Sequence, residues 1–519
     1  MAKRKKGRRP PVEVVFQEMG APVTASAGVV LLLDMLAARR VLPGPVGVEL
    51  FTGQGWLEGQ QMLAVALLNV LGLDRVEDVE RLEADAGLCR LVRRYEKDLF
   101  GVGPRWFERR FRGGRKRTFP SPRSLHEWLA RRHDEAAGRK RVRGKGYVPR
   151  PSAALARVSG LSEGLLRDLA KHREARAVTL DVDATIVSSG KREARFTYRA
   201  ATGEVRGEKG YQPVVVYCPE LGAVVHTEFR DGNVPASKDL VRVVEEALRR
   251  LPECVEEVTV RMDSAGYQHE LVRYCNDPGV RAAGLERFGV LRLVCGVADY
   301  EELLEEARRV PEEDWKALGE TKQVQMAEVP FVPAEVCRHR SGDTLRYLAV
   351  RRAAPGNLGL GKDMMPARGG RPAMRLRLLF TNIPAPEAAT PKDGEERLPP
   401  ASGSQVLKLA NGRCGEGEEI HSILKRDLSG GMMPSGKFGA NACWWELAAL
   451  SHNLVALLRV CALGESWLRV RMKRLRAVFF RVGGRVVRHA RREKLVIGAT
   501  GMEPFRMALA RLAALPVRC

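Results

Sequence analysis

The sequence predicts an α/β protein: an all-α N-terminal domain, then a mixed α/β core that a β-rich insertion divides in two. Three observations carry this. Apolar residues recur at every third and fourth position from about Ala25 to Val92, the spacing of helices with one buried stripe. Short β-branched runs that end on carboxylates begin near Arg176. Strand-like runs then crowd residues 290–382, before a Pro-rich stretch hands the chain back to helices. The boundaries this sets are 1–170 for the helical domain with its basic arm, 171–285 for the first part of the core, 286–405 for the insertion and linker, and 406–519 for the rest of the core with C-terminal helices and a basic segment.

Residues 1–11, MAKRKKGRRPP, read either as a solvated arm or as a phosphate contact. VVLLLDMLAARR (29–40), LEGQQMLAVALLNVLGL (57–73) and VEDVERLEADAGLCRLV (76–92) are helical, punctuated by Pro43-Gly44-Pro45 and Gly72. Between Arg105 and Arg117 stand seven basic residues (Arg105, Arg109, Arg110, Arg112, Arg115, Lys116 and Arg117) and one acidic residue, interleaved with aromatics. That mixture suits a DNA backbone, because cations neutralise phosphates and aromatic faces stack. A second basic run, 139–146, reads as a linker.

AVTLDVDAT (177–185) is an apolar strand ending on acidic residues, and 211–217 with 223–229 form a hairpin around Pro-Glu-Leu-Gly. An amphipathic helix follows over 237–251, and EEVTVRMD (256–263) is a further strand that ends on a carboxylate. VLRLVCGVA, QVQMAEVPFV, TLRYLAVRRA and MRLRLLFTNIP give the insertion its strands, with a Gly- and Pro-rich loop at 355–372. The stretch 383–404 is a linker by composition, and helices resume over 416–460. Residues 467–494 then hold eleven Lys/Arg and one Glu.

With 87 Lys+Arg against 63 Asp+Glu the formal charge of the 519-residue chain is +24. An excess spread along the whole length points to a polyanion, nucleic acid first. The 45% apolar content excludes a disordered chain, and ten cysteines without a CxxC pair exclude a zinc finger or disulfide framework. The basic start meets Pro10, Pro11 and Glu13 instead of an apolar run, so a cytoplasmic protein is expected. The most apolar stretch, 440–460, includes Glu446, His452, Asn453 and Arg459 and reads as a buried core helix, with no membrane partner.

Asp183 and Asp263 end two separate strands, and a helical glutamate after 416 would complete a trio. Three gathered carboxylates in a basic protein suit two-metal phosphoryl transfer, in which hard oxygen ligands hold two Mg²⁺ about 4 Å apart. TLDVDAT (179–185), GYQPVVVY (210–217), EFRDGNVPAS (228–237), VTVRMDSAGYQHEL (258–271), NGRCGEGEEIHSILK (411–425) and NACWWELAALSHNL (441–454), in that order, resemble the DDE transposases of bacterial insertion sequences. The resemblance covers roughly residues 20–510.

The resemblance implies an RNase H-like core in which Asp183, Asp263 and Glu418 are the catalytic residues and hold two Mg²⁺, with Mn²⁺ able to substitute. Asp181 lies on the same strand face as Asp183, so pleating does not choose between them; the family's aspartate stands before small and hydroxyl residues, as Asp183 does. Lys425 stands seven positions after Glu418, the spacing of the family's Tyr-Arg-Glu-Lys arrangement. Arg413 stands five positions before it where four is usual, and no tyrosine precedes it, which leaves Glu416 and Glu419 as alternates. On a helix Glu418, His421 and Lys425 share one face. The resemblance further implies that Lys425 and Arg413 clamp phosphate and that 230–233 lies near the active site. It also implies that Trp315 stacks on a flipped base, for which plain packing is the alternative. The implied reaction is cut-and-paste transposition by a homodimer on double-stranded DNA, at terminal inverted repeats and then at a target. Two rivals stand beside it: a haloacid-dehalogenase-like phosphatase using Asp181 and Asp183 in DxDxT, and a non-catalytic DNA-binding protein.

Overall fold

The computed structural model describes residues 13–16, 24–44, 55–142, 145–196, 209–298, 300–318, 323–331, 345–353, 363–365, 373–387, 398–413, 416–489, 492–498 and 500–516, without the side chains of 13–16, 196, 416–418, 488, 489 and 492. The basic tail 1–11 and most of the loop 355–372 lie outside the described residues.

The four longest helices ahead of the central sheet are α1 (Val29–Arg39), α2 (Glu58–Leu71), α3 (Ala86–Phe100) and α4 (Ala153–Arg173). Every residue of α2 is buried, so it has no solvent face and needs cover on all sides. Part of that cover comes from the other end of the chain. Asn69 donates to Ser451 Oγ at 3.1 Å, Arg476 Nε donates to the Val70 carbonyl at 2.8 Å, and one hydrophobic cluster runs from Ala27 to Leu512. The separate all-α domain expected at 1–170 is therefore not confirmed. Its helices share a core with the C-terminal helices, and a strand at Glu13–Phe16 pairs with Arg492–Ile497.

A mixed sheet of ten strands among the described residues forms the centre. Its main members are β1 (Ala177–Ala184), β2 (Val214–Cys218), β3 (Ala223–Glu228), β4 (Glu257–Met262), β5 (Arg292–Val297), β6 (Val324–Val329), β7 (Arg346–Ala353) and β8 (Met374–Thr381). Their spatial order is β6-β7-β8-β5-β4-β1-β2-β3, with β1, β4 and β5 parallel and β2–β3 an antiparallel hairpin. Helix α5 (Leu240–Arg250) makes the crossover from the hairpin to β4.

The β-rich segment 286–405 does not form a body of its own. β8 pairs antiparallel with β5, Leu379 opposite Gly296, and so continues the central sheet. Without that pairing β5 would present an open edge of unpaired backbone groups.

Helix α6 (Gly403–Asn411) opens with a capping box between Ser402 and Gln405 and lays Val406, Leu407 and Ala410 on Val294, Leu348, Val350 and Leu379. Helix α7 (Glu416–Ser422) follows, then α8 (Phe438–Leu458), which is buried along its whole length with Trp444 and Trp445 in the core. The apolar stretch Phe438–Leu463 is long enough to cross a membrane by length and composition, yet 94% of its most apolar window is buried inside the fold.

Candidate active site

Asp183 and Asp263 come together because of strand register. β1 and β4 run parallel, with Asp181 opposite Arg261 and Val182 opposite Met262. Asp183 and Asp263 are the next residues on these two neighbouring strands, ~4.8 Å apart, Asp263 just past the end of β4 where it caps the turn Ser264–Gly266. Side chains alternate along a strand, so Asp181, Asp183, Arg261 and Asp263 all leave the same face, the one that α6 covers.

Asp181 and Asp183 occupy different environments. Asp181 is buried and receives two hydrogen bonds from Arg261, at 2.6 and 2.7 Å. Burial pushes its carboxyl above the ordinary aspartate value, against the pull of Arg261. Arg261 also donates to the Leu409 carbonyl at 2.9 Å, and a Cβ on Gly412 would stand 2.3 Å from its Nη1, so a larger residue there would make this guanidinium shift. The buried pair thus anchors α6 over the site, and it leaves the phosphatase rival without a free nucleophile.

Asp183 is three-quarters buried but faces an opening. Its Oδ2 accepts from Arg413 Nη2 at 2.7 Å and lies 3.3 Å from His421 Nε2. Burial raises its proton affinity, yet the adjacent His421 and the Arg413 charge more than offset this and hold the carboxyl below the usual range. Asp263 is exposed, and its Oδ1 accepts from the Ala265 amide at 2.9 Å. Lys425 sits in a π-helical turn, Ile423–Asp427, and its Nζ donates to the Ile186 carbonyl at 3.3 Å, just past the end of β1. Burial and then Arg426 lower the proton affinity of that amine. Arg413, His421 and Lys425 therefore all gather at the end of β1.

The side chains of Glu418 and Glu416 lie outside the described residues; Glu419 turns to Arg471, 3.2 Å away. Among the described residues no three His, Cys, Asp or Glu side chains cluster as metal ligands. Asp183 and Asp263 nevertheless fit a hard divalent cation: both are carboxylates at the ends of adjacent parallel strands, and His421 and Arg413 favour the ionised form of Asp183. Asp263 lines a cleft of about 1030 Å³ whose walls include Arg352, Arg375, Arg377 and Arg413, the last being the partner of Asp183.

Other expected contacts fall elsewhere. Trp315 is 5% exposed, donates to the Val310 carbonyl at 3.4 Å and is stacked by Arg351, whose guanidinium lies 4.2 Å from the ring centre. The indole is therefore packed in the core of this structure, the plain packing that is the alternative to base stacking. The residues 230–233 lie off the cleft. Arg230 is buried against Glu228, and Asp231 accepts from the buried Arg141 at 2.7 and 2.8 Å.

In the basic run, Arg105, Arg109, Arg112 and Lys116 are exposed. The others stitch their own loop. Arg110 donates to the Gly55 carbonyl at 2.7 Å, and Arg117 pairs with Glu80 at 2.9 Å. Arg115 is buried, 2.6 Å from the buried Glu96, and donates to the Thr118 carbonyl at 2.7 Å, so its assignment to DNA is corrected to a structural one. Arg115→Ala should lower stability by about 3 kcal/mol, because Glu96 is left buried without its partner. Urea unfolding of variant and wild type checks this, and equal midpoints would remove the structural role.

Residues 140–331 match the family model for transposase DDE domain, group 1. No curated protein matches the chain. Among solved structures, the piggyBac transposase synaptic complex with hairpin DNA is similar at 10% identity and a TM-score of 0.34, over 82% of this chain and 72% of that one. The Drosophila P element transposase strand transfer complex is similar at 14% identity and a TM-score of 0.19, over 52% of this chain and 47% of that one. Neither likeness is high enough to inform the site. The segment 140–331, which contains both Asp183 and Asp263, is thus similar to a transposase DDE domain of group 1.

Proposed function

We propose that this chain is an insertion-sequence transposase that binds terminal inverted repeats, cuts DNA at the element ends and joins the freed 3′-hydroxyls to target DNA. The observation that carries the reading is the pair of carboxylates, Asp183 and Asp263, at the ends of neighbouring parallel strands, with Asp263 lining an arginine-walled cleft and Asp183 held by Arg413 of the same cleft. The order β3-β2-β1-β4-β5, antiparallel and then parallel, supports an RNase H-like core, with β6–β8 inserted between its last strand and the Glu418 helix.

Asp183, Asp263 and Glu418 would hold two Mg²⁺, or Mn²⁺ in their place. Such ions supply an activated water or 3′-hydroxyl and a neutralised leaving oxygen. The chain's own residues do the rest. The Asp181–Arg261 pair fixes the height of α6 above the carboxylates, and Arg413, beside Asp183, sets a guanidinium where a phosphate needs its charge offset. Exposed Arg105, Arg109, Arg112 and Lys116 add sequence-independent phosphate contacts away from the carboxylates. Two inverted repeats need two equivalent surfaces, hence a homodimer, working on cytoplasmic, nucleoid-associated DNA.

The test is cleavage of a labelled DNA fragment bearing the sequences that flank this gene, with and without Mg²⁺. Metal-dependent cuts at the ends of an inverted repeat are expected. Binding without cleavage under Mg²⁺ and Mn²⁺ alike would overturn the catalytic reading in favour of a DNA-binding protein.

A further inference from the structure

Asp183 and Asp263 begin a row that crosses half the sheet. Strand register carries the same face from Asp263 through Gly296 on β5 to Arg377 and Arg375 on β8 and Arg352 on β7. Helix α6 covers this face where it is apolar and ends at Asn411, where it turns charged; the charged end lines the cleft. β8 lies two strand spacings from β4, ~10 Å. Between them Gly296 keeps the floor low, since a Cβ there would come 3.2 Å from the Ser264 amide nitrogen.

The three arginines are badly placed for the free protein. Arg352 and Arg375 are direct cross-strand partners, and like charges directly opposite destabilise a sheet. Arg375, 67% exposed, pairs with Asp363 at 2.6 Å, and Arg377 donates to Asn411 Oδ1 at 2.9 Å. Arg352 is exposed and has no acidic partner among the described residues. One aspartate thus stands against three guanidinium groups on one strand-pair face. Arg375 and Arg377 are two residues apart, ~6.8 Å along the strand. That is close to the through-space separation of neighbouring phosphates on one DNA strand, which exceeds their axial rise of ~3.4 Å because the strand winds around the axis. The alternation Arg-x-Arg in MRLRLLF is the sequence signal for this face, and charge counting alone does not isolate it.

We propose that Arg352, Arg375 and Arg377 form a rail for consecutive phosphates of the DNA strand whose scissile bond sits at Asp183 and Asp263. The inference rests on the transposase reading of the same cleft. A polyanion on the rail neutralises the cross-strand repulsion that the free sheet tolerates, and the row's length beyond the carboxylates fits a strand better than a single nucleotide.

The test is fluorescence anisotropy of a labelled duplex bearing the element end, titrated at salt from roughly 50 to 200 mM. It compares wild type, the triple variant Arg352→Gln/Arg375→Gln/Arg377→Gln, and a control, Arg167→Gln/Lys171→Gln, on α4 beside the opposite end of β1. The triple variant should bind at least tenfold more weakly at low salt, and its slope of log K against log salt should be shallower by about 2 to 3. Its melting temperature should equal or exceed that of wild type, and the control should match wild type in slope. Should the triple variant unfold, Arg352→Gln alone decides, with a slope change of about 1. An unchanged affinity and slope while wild type cuts DNA would overturn the rail and leave the transposase reading standing. Wild type that binds but never cuts would overturn that reading, and the salt slopes would still report on the rail.

Discussion

Asp263→Ala is expected to abolish strand cleavage while DNA binding is kept or strengthened. A carboxylate that helps hold the catalytic cations contributes several kcal/mol to the transition state, and each 1.36 kcal/mol is tenfold in rate. The loss should therefore be on the order of 10³-fold or more in single-turnover cleavage. Folding should survive, because Asp263 is exposed and, among the described residues, its side chain accepts only a local hydrogen bond from the Ala265 amide. Binding should hold because the substitution removes a negative charge from a cleft that receives phosphate. Cleavage, gel-shift affinity and thermal melting on one preparation separate these effects. Retained cleavage would strike Asp263 from the site; a collapsed melting curve would make it a structural aspartate.

Arg261→Met should act in the opposite way, on stability first. Its guanidinium is buried, satisfies both oxygens of buried Asp181 and bonds the Leu409 carbonyl. Breaking a buried pair from one side strands the other charge, a cost of about 3–5 kcal/mol. Removing both partners, Asp181→Leu with Arg261→Met, should recover much of that loss, because an apolar pair of similar volume needs no compensating charge. Urea unfolding of the two single variants and the double closes a thermodynamic cycle. The double variant should still lose cleavage, since α6 then lacks its anchor above Asp183. A double variant as unstable as the single would show that the pair is not what the site depends on. Phosphatase activity that disappears with Asp181 alone, at unchanged stability, would restore Asp181 as a nucleophile.

Residue by residue, the legible part of the site was its strand-end carboxylates. An apolar β run that stops on Asp, twice, marks two strand ends where charge is tolerated only because burial stops there. The series of motifs ordered them, and the family match at 140–331 agrees with that reading. Less legible was which carboxylate is free. Asp181 and Asp183 have the same pleat parity, and only the register opposite Arg261 shows that the first is consumed by a buried ion pair. Arg115 and Trp315 were opaque for the same reason. Their partners, Glu96 and Arg351, stand 19 and 36 positions away in the chain, and neither spacing follows a helix or strand period.

The sequence by itself determined the α/β character, the basic charge of the whole chain, the burial of the helix that carries Trp444 and Trp445, and the two aspartates at strand ends. Each of these depends on local periodicity or composition, which a linear chain displays. Tertiary structure alone decided that the N-terminal helices share a core with the C-terminal ones, that β6–β8 extend the central sheet, and that Arg352, Arg375 and Arg377 align with Asp263 on one face. Those outcomes follow from strand register and from closing an open sheet edge, and register is a relation between distant segments that neither segment records alone.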